Sequence, residues 1–222
     1  MIQPEGLDKR KGAVGIEYPT YKDLCIDVLL RMGEEQCVTN GVITPSAAAS
    51  AFLKAMPALT QQGLALLATA GRYLVREMTI DQPGDGDGVA RYDLRERAPD
   101  FYSLMARRVL LNDEPCAEYS LEGGGAVLCV PARKRGVWRV YYNAYPARLP
   151  AEIADDTPLE VVPEVYALLP LFIEGRLRII HDEDYGTAIL NEFEQRRAEL
   201  ESRSRAFWDV VATVLREGSV AL

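Results

Sequence analysis

A single histidine, His181, occurs in 222 residues, and that scarcity removes most chemistry built on imidazole. No second His exists and no Cys lies at ligand spacing, so a zinc site is excluded. A Ser-His-Asp or Cys-His site would have to run through His181, which stands at the start of a helix beside Asp182, Glu183 and Asp184, and no nucleophile-elbow sequence occurs elsewhere. Cysteine is nearly as sparse: Cys25, Cys37, Cys116 and Cys129 form no CxxC pair. Three of them, Cys25, Cys116 and Cys129, sit inside apolar or strand-like runs, and the set reads as buried free thiols of a reducing compartment. The longest apolar stretch, Val161 to Ile180, is broken by Glu164, Glu174, Arg176, Arg178, Pro163 and Pro170, which excludes a uniform membrane-crossing helix. Met1-Ile2-Gln3-Pro4-Glu5 has no apolar core of a signal peptide. These absences lead to the expectation of a soluble protein made in a cytosol, with no membrane partner, no metal, no cofactor and no catalytic residue.

What is present suffices for a core. Hydrophobic residues make up 48% and charged residues 26%, which excludes wholesale disorder without needing metal or disulfide staples. Lys plus Arg number 25 against 33 Asp plus Glu, for a net charge of −8. An acidic chain does not grip nucleic acid over its whole surface, since phosphate binding is driven by cations. It can still let DNA pass without holding it.

The first seventeen residues are polar, carry glycine, and read as an extended arm (residues 1–17). N-terminal helices are expected over 18–72. Thr20 caps a helix with apolar positions Leu24, Cys25, Val28, Leu29 and Met32, and Gly33 ends it. Ser46 opens a second apolar set, Phe52, Leu53, Met56, Leu59, Leu64 and Leu67, which Pro57 should kink or divide. An antiparallel β region is expected over 73–146: Tyr73 to Ile80 alternates, Cys116–Leu121 and Ala126–Val130 flank the turn Glu122–Gly125, and Arg133–Gly136 turns a second hairpin into the strand Val137–Asn143. Residues 147–222 read as C-terminal helices, the last a long helix capped by His181-Asp182-Glu183-Asp184 and bearing Ile189, Phe193, Leu200, Phe207, Val211 and Val214. The expected fold class is α+β: a helical bundle, made of the N-terminal helices and two long C-terminal antiparallel helices, with an inserted small antiparallel β-sheet or sandwich, and 18–222 as one compact unit.

Few motifs suggest chemistry. The loop Asp81 to Gly88 spaces three carboxylates with glycines but lacks the EF-hand order, so a mobile acidic hairpin tip is the simpler reading than a calcium loop. Gly123-Gly124-Gly125 has no following GK[ST] and reads as a turn. Arg133, Lys134 and Arg135 form a solvated tip that could meet DNA phosphates or an acidic neighbouring subunit. Arg196, Arg197, Arg203 and Arg205 alternate with glutamates and read as intrahelical pairs, then as rim contacts. Beyond them Phe207, Trp208 and Val211 form an apolar cluster far out on a helix; it packs on the chain's own core or on another subunit, and with Arg203 it is the candidate interface.

One run of residues resembles a known family. Val137-Trp138-Arg139-Val140-Tyr141-Tyr142-Asn143-Ala144-Tyr145-Pro146 closes the strand region; Asp155-Asp156-Thr157-Pro158 and the apolar helix Val165 to Arg178 follow, then Glu183-Asp184-Tyr185, Ala188 and Asn191-Glu192-Phe193. This order resembles the head-to-tail adaptor (connector, neck) proteins of tailed bacteriophages, and Tyr21 to Met32 is similar to that family's opening helix. On the resemblance, Tyr141, Tyr142, Tyr145, Pro146, Asp184 and Phe193 carry the family pattern. It implies a non-enzymatic virion protein, assembled in the host cytoplasm, that forms a homo-oligomeric ring, commonly of twelve. The ring docks on the portal, contacts further neck or tail proteins, and lines the channel through which double-stranded DNA passes without specific binding. Two other readings stand beside it: a cytosolic non-enzymatic protein-binding module of mixed α/β structure, and an enzyme with a carboxylate site around Asp182, Glu183 and Asp184.

Overall fold

The computed structural model describes residues 18–150 and 152–217, without the side chains of residues 106, 107 and 205–217. Helix α1 (Tyr21–Arg31) starts as its sequence dictates: Thr20 Oγ1 accepts the Asp23 N–H at 3.2 Å and the Asp23 carboxylate accepts the Thr20 N–H at 2.8 Å, a capping box. It stops at Gly33, whose φ of 82° lets the N–H groups of Gly33 and Glu34 return to the carbonyls of Leu30 and Leu29 at 3.2 and 2.9 Å. Strands β1 (Val38–Thr39) and β2 (Val42–Ile43) make a short hairpin turned by Asn40 and Gly41. Helix α2 (Ala47–Gly71) is capped by the Ser46 hydroxyl, which accepts the Ala49 N–H at 3.0 Å. Pro57 does not divide it; the helix is one element, and burial of Met56, Leu64 and Leu67 offsets the lost hydrogen bond.

The middle of the chain holds β3 (Val75–Gln82), β4 (Val89–Asp93), α3 (Leu94–Arg97), β5 (Phe101–Leu111), β6 (Glu114–Pro115), β7 (Ser120–Glu122), β8 (Val127–Pro131) and β9 (Gly136–Ala144). Among the described residues α4 (Pro163–Tyr166), α5 (Leu168–Arg178) and α6 (Glu183–Glu217) follow.

This is not the expected helical bundle. With about 45% helix and 26% strand in three sheets, the protein is a mixed α/β structure. Nor are there two long antiparallel C-terminal helices. Residues 155–159 are spent instead on the start of α1, where Thr157 and Asp155 carbonyls accept the N–H groups of Tyr21 and Lys22 at 2.8 and 3.0 Å, and the Leu159 N–H donates to Pro19 at 2.9 Å. That leaves a single-turn α4 entered through Pro163 and an eleven-residue α5; α6 alone is long. The second expected hairpin is also absent. The chain crosses at 133–135 from one sheet to another, so that β8 pairs with β4 and β7 while β9 pairs with β3 and β5. The first hairpin, β7 to β8 through Gly123–Gly125, forms as its turn residues require.

The chain divides into two units. The first comprises the described part of Met1–Leu67 together with Ala147–Glu199. In it α1 packs on α5, and two glycines permit close helix approach. A Cβ on Gly63 of α2 would lie 2.5 Å from Leu169 Cδ1, and one on Gly175 of α5 would lie 2.8 Å from Leu190 of α6. Phe172 and Phe193 meet with ring centroids 5.1 Å apart. Among these apolar groups the buried Glu174 carboxylate is held by Arg178 Nε at 3.0 Å and Arg31 Nη1 at 3.5 Å.

The second unit comprises Ala68–Pro146 and the described part of Leu200–Leu222. Its four-stranded sheet runs in the order β3-β9-β5-β6 and its three-stranded sheet β4-β8-β7. The two share one core: Met78, Ile80, Val109, Trp138, Val140 and Tyr142 from the first meet Leu128 and Val130 from the second. Alternation along β9 buries Trp138, Val140 and Tyr142 and leaves Val137, Arg139 and Tyr141 on the other face.

Candidate functional site

The docking of the 155–159 turn on α1 builds a shallow cleft of about 670 Å³ in the first unit, lined by Tyr18, Pro19, Asp155, Asp156, Pro163 and Tyr166. The Tyr166 hydroxyl donates to Asp27 Oδ2 at 2.7 Å; burial first, then that carboxylate, push its phenol far above the ordinary range. Burial likewise raises Tyr21, and it raises the Cys25 thiol to about 11, so this thiol stays protonated and is no nucleophile near neutrality. Asp23 is tied to the Thr20 hydroxyl at 2.7 Å, whereas Asp155 and Asp156 are exposed and form no ion pair among the described residues. A smaller recess of about 350 Å³, lined by Val42, Ile43, Pro45 and Leu53, shares Lys22 and Asp155 with the cleft. The arrangement offers phenol rings, prolines and the carboxylates of Asp23, Asp155 and Asp156 against the one lysine, Lys22: on balance a seat for a cationic group.

In the second unit the turn Arg133-Lys134-Arg135 is held by a residue that sequence reasoning missed. Gln82 is buried at the end of β3, and its Nε2 donates to the carbonyls of Pro131, Ala132 and Lys134 at 2.7, 3.2 and 2.7 Å, while its Oε1 accepts from Tyr92 at 3.1 Å. The signal was in the alternation, since Gln82 falls on the inward parity of Met78 and Ile80, where a polar group needs partners. Lys134 Nζ reaches Glu118 at 2.7 Å and Arg133 lies 4.0 Å from the same carboxylate. Gly84 of the acidic loop abuts Arg135, a Cβ there falling 2.5 Å from Arg135 Cβ. The turn is therefore bracketed by acids and makes no broad positive patch.

The residues of the family pattern do not converge on one site. Tyr142 points into the core, donates to Asp100 Oδ1 at 3.0 Å, and is pushed up to about 12, by burial first and then by that carboxylate. Asp100 also pairs with Arg76. Tyr141 lies on the opposite face under Arg108, 5.7 Å from its ring centroid. Tyr145 is exposed, with its ring 5.3 Å from Tyr102, and Pro146 is buried. Asp184 and Phe193 belong to the first unit: Asp184 is exposed in the first turn of α6, and Phe193 is fully buried against Phe172.

Arg203 is exposed on α6, while the side chains of Phe207, Trp208 and Val211 and the arm at 1–17 lie outside the described residues. His181 stands edge-on to Phe52 at 6.3 Å, and the neighbouring Asp182 caps α6 by accepting the Tyr185 N–H at 3.0 Å. Among the described residues no three His, Cys, Asp or Glu groups come together to hold a metal ion, and no helix is long and apolar enough to cross a membrane. No protein-family model and no curated protein matches the chain.

Proposed function

We propose that this chain is a structural subunit of the neck of a tailed bacteriophage, a head-to-tail adaptor whose ring docks on the portal, joins it to the tail and lines the DNA exit channel. The observation that carries the reading is the junction in the first unit. The opening helix α1 and the acidic turn 155–158, which lie far apart in the chain and both belong to the resemblance, are joined there by two backbone hydrogen bonds of 2.8 and 3.0 Å, and the next residue, Leu159, bonds to Pro19 just before the helix at 2.9 Å. The turn leads directly into α4 and α5, and α5 packs back on α1, so these helical elements of the resemblance form one piece of the first unit. In this reading the protein works by geometry and performs no bond-making reaction. Its acidic surface repels phosphates and lets DNA slide.

Mixing the purified chain with portal rings of the same virus tests the proposal. Full-length protein should co-elute with portal on gel filtration, and a chain lacking residues 206–222, shown to be folded by circular dichroism, should elute apart. Failure of the intact chain to join portal, or undiminished joining by the truncated one, counts against it.

A further inference from the structure

We infer that the Arg133–Arg135 turn of one copy of this chain seats in the Tyr18–Asp155–Tyr166 cleft of a second copy. The inference rests on the reading of the chain as an assembly subunit and names two surfaces that meet. On the turn, Lys134 pairs with Glu118 at 2.7 Å, Arg133 keeps only a 4.0 Å contact with the same carboxylate and projects with its side chain 77% exposed, and Arg135 is exposed with no ion pair among the described residues. The loop is shaped in advance by the three bonds from Gln82, so seating it costs little ordering entropy. In the cleft, the exposed carboxylates of Asp155 and Asp156 share the lining with Tyr18, Tyr166 and Asp23, against a single cation, Lys22.

Guanidinium is the cation that suits such a seat. Its planar fork takes a carboxylate while its face lies over a phenol ring. The chain makes that stacking itself at Arg97 on Tyr92, Arg108 on Tyr141 and Arg178 on Tyr185, with 5.0, 5.7 and 4.9 Å to the ring centroids. DNA is the poorer occupant of the turn. A phosphate backbone approaching it would meet Glu118 and the Asp81–Asp87 loop along with the arginines, whereas a small acidic cleft needs only the projecting guanidinium groups. Because turn and cleft are different surfaces, the contact is heterologous, and every copy carries one of each.

Sedimentation velocity on the full chain at rising concentration tests this with charge reversals, R133E/R135E on the turn and D155R/D156R in the cleft. The wild type should self-associate in a salt-sensitive manner, and each variant alone should associate roughly tenfold or more weakly. An equimolar mixture of the two variants should recover association, because each supplies the surface the other lacks. Thermal unfolding monitored by circular dichroism establishes that both variants are folded. A wild type that stays monomeric at every concentration, variants that associate like the wild type, or a mixture that recovers nothing would overturn the inference. So would a turn reversal that affects only binding to a duplex DNA oligomer. No portal is present in this experiment, so its failure is separate from a failure to join portal rings.

Discussion

Gln82 shows how much one side chain can decide in this protein. Its amide satisfies three carbonyls and a phenol at the place where the chain crosses between sheets. In Gln82→Leu these groups lose their partner inside a buried site, which should destabilise the protein by about 2–4 kcal/mol in urea denaturation with an unchanged slope. It should also speed tryptic cutting at Arg133–Arg135, a readout that plain loss of stability at a distant core position would not reproduce below the unfolding transition. Tyr142 sets an alkaline limit. Its phenol has an ordinary value of 10 and is raised to about 12 in the fold, so the unfolded chain ionises first. The stability that the protonated group contributes is complete below pH 10 and is lost as pH rises toward 12. Tyr142→Phe should flatten that part of a pH–stability curve and cost about 1 kcal/mol at neutral pH through the lost bond to Asp100.

Among the elements, what could be seen in advance was whatever local chemistry determines. Thr20, Gly33 and Ser46 mark helix ends because capping involves residues three or four apart, and the Gly123–Gly125 turn joins its neighbours in sequence. Partners chosen across long distances were not legible. Nothing local in Val137–Asn143 says that it prefers β3 and β5 to β8; that follows from the shared core and from the Gln82 clamp. The expectation of two long antiparallel C-terminal helices failed because hydrophobicity does not show that residues 155–159 pair with α1. Close helix contacts at Gly63 and Gly175 were likewise invisible, since a glycine inside a helix has several uses. Gly63→Val should push α2 from Leu169 and Phe172 and lower stability by about 1–3 kcal/mol, read as a fall in the melting temperature.

On the scale of the whole molecule, the candidate site was legible only in part. The exposed arginine turn was visible in the sequence, but the cleft that complements it was not, because Tyr18, Asp155 and Tyr166 come together only when the acidic turn docks on α1. The family-pattern residues fall in both units, with Tyr142, Pro146 and Phe193 buried and Tyr145 and Asp184 exposed. They are positions that hold elements in place more than they form a common surface. The proposed adaptor role is therefore tested at the level of assembly. Native mass spectrometry of portal rings incubated with the chain tests that most directly. The account predicts a discrete mass increase equal to a full ring of added subunits, twelve for a twelvefold portal; portal that gains no subunits, or an uneven scatter of bound copies that never completes a ring, would contradict it.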